Sequence, residues 1–307
     1  LSCKFDGEPL IVGTSGRYEF RNKGIDIFLD ALKQLAETDA LDREVLVYIT
    51  VPSATTGPRK DLQAHLADEN SPIDPKQNRF CTHYLEHPEW DQILNSIAGS
   101  VLANPSSKVK VVFVPTYLNG RDGIFDKSYY ELLVGMDMTL FPSYYEPWGY
   151  TPLESTAFSV PTLTTTLAGF GLWAGSQGEH EGVTLVARND DNYAEAAREI
   201  AKALLHFTKY TPQEVEIARN AAAELSRTAL WSELYAAYEK AYSEAIERSV
   251  TRTNRAVLND GGGATEQINF VRQQLITEKP HWNRVMVEKV LPKRLHALEA
   301  VSYTHLR

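Results

Sequence analysis

Apolar positions recur along this chain in two rhythms, and their alternation predicts an α/β architecture. The run PLIVG, Pro9 to Gly13, reads as a buried strand. Ile25, Phe28, Leu29, Leu32 and Leu35 then recur at three and four residues, which predicts an amphipathic helix from about Gly24 to Thr38. Leu46 to Val51 is a second strand, and KVKVVFVP, Lys108 to Pro115, is a continuous apolar run of the kind buried in a parallel sheet. Met138 to Phe141, Pro161 to Thr165 and Val183 to Ala187 supply further strands. This strand, helix, strand rhythm predicts a Rossmann-like parallel sheet.

Residues 52–107 break the rhythm with a polar, Pro-bearing insertion and two helices, at about 58–68 and 88–103. After the last strand, helices are predicted over about 190–207, 211–225 and 228–249, with Pro212 in a first turn. Trp231, Leu234, Tyr235 and Tyr238 form a stripe at helical spacing and are read as core. The composition shifts at Ser249, and Asn259-Asp-Gly-Gly-Gly-Ala264 reads as a flexible linker. The expected organisation is one ligand-binding domain over 1–248, a linker over 249–264, and a helical tail over 265–307 that opens a truncated following domain.

Composition narrows the function. The chain has 307 residues, a formal charge of −9 and a pI near 5.5, which argues against nucleic acid or an anionic membrane surface as partner. Two cysteines, Cys3 and Cys81, make no disulfide framework and fit a reducing, cytoplasmic compartment. No signal-peptide pattern and no apolar run of membrane-spanning length is found. His65, His83 and His87 lack the spacing of a metal site, so surface histidines are the expectation and metal binding is not.

The stretch with the most chemistry is FPSYYEPWGYTPLESTAFSVPTLTTTLAGFG, Phe141 to Gly171: a strand end, an aromatic loop, and a helix beginning near Pro152. Ligands bind beyond the carboxyl ends of parallel strands, and the free N–H groups of a helix start attract phosphate; Gly149, Tyr150 and Thr151 stand at that place. Glu146 and Glu154 bracket the turn as E-x7-E. Two carboxylates beside a phosphate-binding turn suit a sugar, diphosphate and ribose ligand, because each can accept from adjacent hydroxyls. Gly169 and Gly171 are read as letting backbone approach that ligand. In the loop after the first strand, GRYEFRNKG, Arg17 and Lys23 would face the same ligand; charge alone leaves a solvated surface pair equally open. Tyr129 would stack on a base or pack, with Tyr130, against Leu132 and Leu133.

The Phe141–Gly171 string closely resembles the donor-binding loop of glycogen synthases of the eukaryotic type, retaining glycosyltransferases of the GT-B fold, and GRYEFRNKG resembles that family's Arg-and-Lys motif. The resemblance covers residues 9 to about 248 and implies the C-terminal, donor-binding half of a GT-B fold, with the insertion matching the family's helical insertion. It implies that UDP-glucose is the donor and that an α-1,4-glucan is the acceptor, held by an N-terminal domain with no counterpart here. It implies no cofactor and no metal. Arg17 and Lys23 would meet the diphosphate, Tyr129 the base, Gly149, Tyr150 and Thr151 the phosphate, and Glu154 the ribose; Glu146 would lie beside the donor glucose, with Arg17 and Lys23 sharing its catalytic role. Sucrose and trehalose-phosphate synthases share E-x7-E and the Arg–Lys pair, but EPWGYTP favours glycogen synthase; a non-catalytic nucleotide-sugar binding module is the other alternative. MVEKVLPKRLHALEAVSYTHLR, from Met286, resembles the opening of an α-glucan phosphorylase and implies covalent fusion to one. The arginine cluster that reads a sugar phosphate in the eukaryotic enzymes has only Arg219 and Arg227 to match it, so such activation is expected to be absent.

Overall fold

The computed structural model describes residues 5–178 and 180–259. Its centre is one six-stranded sheet, built from β1 (Leu10–Ser15), β2 (Val45–Thr50), β5 (Val109–Phe113), β6 (Met138–Phe141), β7 (Thr162–Thr165) and β8 (Val183–Val186). All five pairings are parallel, and the spatial order is β5-β2-β1-β6-β7-β8. Counted along the chain, the sheet strands run 3-2-1-4-5-6, the doubly wound order.

That order follows from handedness. Right-handed crossovers that step one way from β1 and the other way from β6 place their helices on opposite faces of the sheet. On one face α1 (Ile25–Glu37) packs with α7 (Tyr193–Phe207), and Ile25, Phe28, Leu29, Leu32 and Leu35 are buried as their spacing predicts. On the other, α5 (Tyr150–Ala157) packs with α8 (Pro212–Arg227). Thr211 and Glu214 form a capping box that starts α8.

The insertion departs from expectation. Its first helix is present as α2 (Lys60–Ala67), but the second is broken into a 3₁₀ turn (Pro88–Trp90), α3 (Gln92–Ala98) and another 3₁₀ turn (Val101–Ala103). Asp91 caps α3 through Leu94 N–H, which stops the helix from extending backwards. A two-stranded antiparallel sheet of β3 (Thr55–Pro58) and β4 (His83–Leu85), with α2 between them in the chain and unforeseen in the sequence, joins the two parts. His83 is buried rather than a surface residue: its Nε2 lies 3.0 Å from the Asp122 carbonyl and its Nδ1 2.9 Å from the Thr82 hydroxyl. Cys81 is buried too, and burial pushes its thiol up to about 11; Cys3 lies outside the described residues.

Arg59, which follows β3, is buried, donates through Nη1 to the carbonyls of Asn78 (2.6 Å) and Cys81 (3.1 Å), and pairs through its Nε and Nη2 edge with both carboxylate oxygens of Asp61. Those hydrogen bonds hold the Asp61 carboxyl below the usual carboxylate range. Asp61→Asn leaves a buried guanidinium without its counter-charge and is expected to cost about 3–5 kcal/mol. The native pKa is lowered, so this stability is fully present above the unfolded carboxylate value and is lost as pH falls through the native one. Denaturant titrations of both proteins at neutral and acidic pH check it: the difference between them should shrink on acidification.

The chain divides into two compact units, one ending at Thr228 and the next beginning at Ala229, not at the 248/249 boundary expected. In the second unit α9 (Trp231–Asn259) is one continuous helix, so residues 249–259 are helical rather than linker. The remainder of the linker and the 265–307 tail lie outside the described residues. Trp231, Tyr235 and Tyr238 are exposed, which corrects their reading as core. Helical spacing marks a face; it does not say what covers it.

Candidate functional site

The crevice opens where the strand order reverses, between β1 and β6. The loop Gly16–Gly24 leaves β1 towards one face and the loop Pro142–Gly149 leaves β6 towards the other. They meet at the carboxyl edge, where Tyr144 N–H donates to the Asn22 carbonyl at 2.8 Å. Gly24, with φ +69°, is the residue of closest approach: a Cβ there would stand 1.9 Å from the Pro142 carbonyl oxygen.

Directly across this meeting point Lys23 Nζ makes an ion pair with Glu146, each side chain largely buried at 15% and 21% exposed. Lysine carries three donors, so this contact leaves it able to donate to an incoming anion. The Glu146 backbone is held as firmly as its side chain. Its N–H donates to Leu167 (3.3 Å), its carbonyl accepts from Gly169 (3.0 Å), and Trp148 accepts from Phe170 at 2.6 Å. The Trp148 ring packs against Phe170 and Trp173, anchoring the aromatic loop in its own apolar cluster. Gly169 and Gly171 are also required by contacts within the protein, Gly169 against the aromatic loop and Gly171 against the end of β7. Cβ atoms there would lie 2.1 Å from the Pro147 oxygen and 2.2 Å from the Thr165 oxygen, and both glycines open α6 (Gly169–Ser176).

Beside the ion pair is a cavity of about 480 Å³, whose lining includes Ser15, Arg17, Thr50, Asn119, Tyr129, Thr151 and Glu154. Tyr129 is the first residue of α4 (Tyr129–Leu133), set there by a capping box between Ser128 and Glu131. It packs as one expectation had it, and it also lines the cavity. Its ring packs on the cluster of Leu133, Met136 and Val160, and its hydroxyl lies 2.8 Å from the Ser15 hydroxyl at the mouth of β1. Burial pushes that hydroxyl up to about 12, so it is protonated throughout the physiological range. Tyr130 instead stacks on Phe158 with ring centroids 5.0 Å apart, and Glu154 raises its pKa through charge and a hydrogen bond.

Of the residues singled out in sequence, Arg17, Tyr129, Thr151 and Glu154 thus share one cavity, and Lys23 with Glu146 stands at the switch point as a pair of its own. The Arg17 guanidinium, 75% exposed, turns to Glu19 at 3.0 Å. Gly149 (φ +108°) starts α5 without a side-chain cap, leaving the N–H groups of Tyr150 and Thr151 at an open helix terminus. Tyr150 is exposed, and Pro152 in the first turn forfeits no helical hydrogen bond. Ser15, Thr50 and Asn119 were missed in sequence; their position at or just beyond the carboxyl ends of strands was the signal available. A second cavity of similar volume, lined by residues including Arg59, Phe80, Arg79 and Lys110, lies along the β5 edge away from the strand ends. On α8, Arg219 donates to the carbonyls of Met136 (2.8 Å) and Ser159 (3.2 Å), a structural tie to the start of β6.

A family model described as glycogen synthase matches residues 64–294, well over half of the chain. The chain belongs to the glycogen synthase family. Tyr129, Glu146, Gly149, Tyr150, Thr151 and Glu154 lie within the matched residues, while Arg17 and Lys23 precede them. Glycogen [starch] synthase of Neurospora crassa is 28% identical over 80% of this chain and 43% of its own length, and the human liver enzyme is 28% identical over 80% and 42%. The chain therefore spans less than half the length of these family relatives. Among solved structures, Anabaena Alr3699/HepE in complex with UDP is 17% identical with a TM-score of 0.43, covering 77% of this chain and 49% of that one. A trehalose-6-phosphate protein from E. coli bound with UDP-2-fluoro glucose is 12% identical with a TM-score of 0.47, covering 75% and 43%. No described helix is long and apolar enough to cross a membrane.

Proposed function

We propose that this chain is the donor-binding half of a cytoplasmic retaining glycogen synthase that moves glucose from UDP-glucose to the 4-hydroxyl at the non-reducing end of an α-1,4-glucan. The observation that carries the reading is the Lys23–Glu146 pair at the switch point, adjoining a cavity that holds Tyr129, Thr151 and Glu154. In this reading the uracil lies against Tyr129, and Glu154 accepts from the ribose hydroxyls. The diphosphate meets Lys23, Arg17 swung from Glu19, and the open N–H groups of α5. Glu146 then lies beside the donor sugar.

Departure of UDP builds negative charge on the leaving phosphate, and fixed positive charge nearby lowers that barrier without reorganisation. The resident groups for this are Lys23, Arg17 and the α5 terminus. The glucan is held by the remainder of the full-length protein, and the tail from Met286 implies its fusion to a phosphorylase-like domain. Arg219, tied to two backbone carbonyls, is not free to clamp a sugar phosphate with Arg227, in keeping with a synthase that lacks that control.

Calorimetric titration of this chain with UDP should give measurable heat and a saturable site, with little glucan elongation by the chain alone. Tyr129→Ala should weaken UDP by about 1–3 kcal/mol, the range for base–aromatic stacking. Folded protein that shows no heat at millimolar UDP would overturn the donor-site reading.

A further inference from the structure

Arg188 lies just beyond β8, 6% exposed, in a part of the chain whose sequence drew no attention. Its backbone is locked to β7's end: its N–H donates to Thr166 Oγ1 (3.0 Å) and its carbonyl accepts from the same hydroxyl (3.3 Å). From there the side chain reaches past β7, and Nη1 donates to the carbonyl of Pro142, the residue at which β6 ends and the Glu146 loop begins. The guanidinium lies 5.3 Å from the Tyr144 ring centroid, and Tyr144 is the residue whose N–H joins the two crevice loops. A Cβ on Gly24 would be 3.2 Å from the same Nη1, which places the charge at the contact of the β1 and β6 loops.

A buried cation is a costly way to fill space. Well-packed apolar side chains of similar volume are commonly neutral or stabilising in its place, so stability gives little reason for an arginine here. What the guanidinium provides that an apolar residue cannot is a rigid planar donor aimed at one carbonyl, with a face for the neighbouring ring. Burial lowers its pKa from the ordinary value, and the field of Asp26 in the first turn of α1 opposes that shift.

We propose that Arg188 is a positioning residue for Glu146: by holding the Pro142 carbonyl and the Tyr144 ring, it sets the path of the Pro142–Gly149 loop and the approach of Glu146 to Lys23. Its consequence for catalysis rests on the donor-site reading above; its consequence for the loop does not.

The test compares wild type with Arg188→Met, close in length but without charge or donors, and Arg188→Lys, which restores one point donor. Amide hydrogen exchange on this chain should rise about tenfold or more at Tyr144 and Glu146 in the Met variant, the effect of losing a charge-assisted hydrogen bond, while β1 and β2 amides are unchanged. In the full-length synthase, kcat should fall about tenfold or more with KM for UDP-glucose changing less than about threefold, and Lys should recover part of both effects. Unaltered loop exchange in the Met variant overturns the proposal, as does an exchange rise spread over the whole sheet. Absence of UDP-glucose turnover by wild type refutes the donor reading, while the exchange measurement still decides the role of Arg188.

Discussion

Lys23→Ala in the full-length synthase is expected to lower kcat for glucosyl transfer by about a hundredfold or more, with the protein still folded. The magnitude is that of removing one preorganised group from developing transition-state charge, roughly 3 kcal/mol. Lys23 is suited to that role because it is largely withdrawn from water and already oriented by Glu146, so its field is not screened as that of a surface lysine would be. Its partner argues the same way. Without Lys23, Glu146 is left beside the donor phosphates as an uncompensated negative charge, so the loss exceeds that of one hydrogen bond. Steady-state kinetics with UDP-glucose and a glucan primer, alongside a thermal melt, check it. A fall in kcat of less than about tenfold with an intact melt would remove Lys23 from the chemistry.

Gly24→Ala should have the largest effect on stability of any single methyl added to the crevice, about 3 kcal/mol or more. Two costs combine. A φ of +69° is unfavourable for any residue with a Cβ, by about 1–2 kcal/mol. In addition the new atom would stand 1.9 Å from the Pro142 oxygen and 2.5 Å from its carbon, a clash with backbone that no rotamer change relieves. Gly178→Ala separates the costs, since Gly178 has φ +106° but nothing within 4 Å of the added atom. Denaturant unfolding should show a loss of about 1 kcal/mol at Gly178 and several times that at Gly24, with UDP affinity lost only in the latter. Equal losses at the two positions would mean that the loops separate freely and that their contact is not a fixed feature of the site.

The elements most legible in sequence were those whose burial is dictated locally. Six apolar runs became the six sheet strands within a residue or two at each end, and the stripe from Ile25 to Leu35 became the buried face of α1. The pair β3 and β4 was not legible, because TTGP and HYL are short, carry no alternation, lie far apart in the chain, and are held by the buried Arg59 and His83 rather than by an apolar face. The Trp231 stripe was legible as helix and misread as core, since periodicity is the same whether or not a face is covered.

Within the site, residue types and chain positions were available from the sequence: E-x7-E, the open helix start at Gly149, and the cations of the first strand-to-helix loop. These are local, because a parallel strand must end in a loop at the ligand edge and a helix start must leave N–H groups free. Pairings were not available. That Lys23 meets Glu146 across 123 residues, that Tyr129 reaches Ser15, and that Arg188 reaches Pro142 all depend on which strands become neighbours. The same holds for the glycines. Gly24, Gly169 and Gly171 are required where one segment of backbone lies against another, and only the 3-2-1-4-5-6 packing brings those segments within contact distance. The sequence by itself thus determined the six strands of the central sheet, the main helices outside the insertion and the chemistry carried on each loop; tertiary structure alone decided which loops share the crevice, because parallel crossovers join residues far apart in the chain whose mutual approach leaves no mark in local pattern.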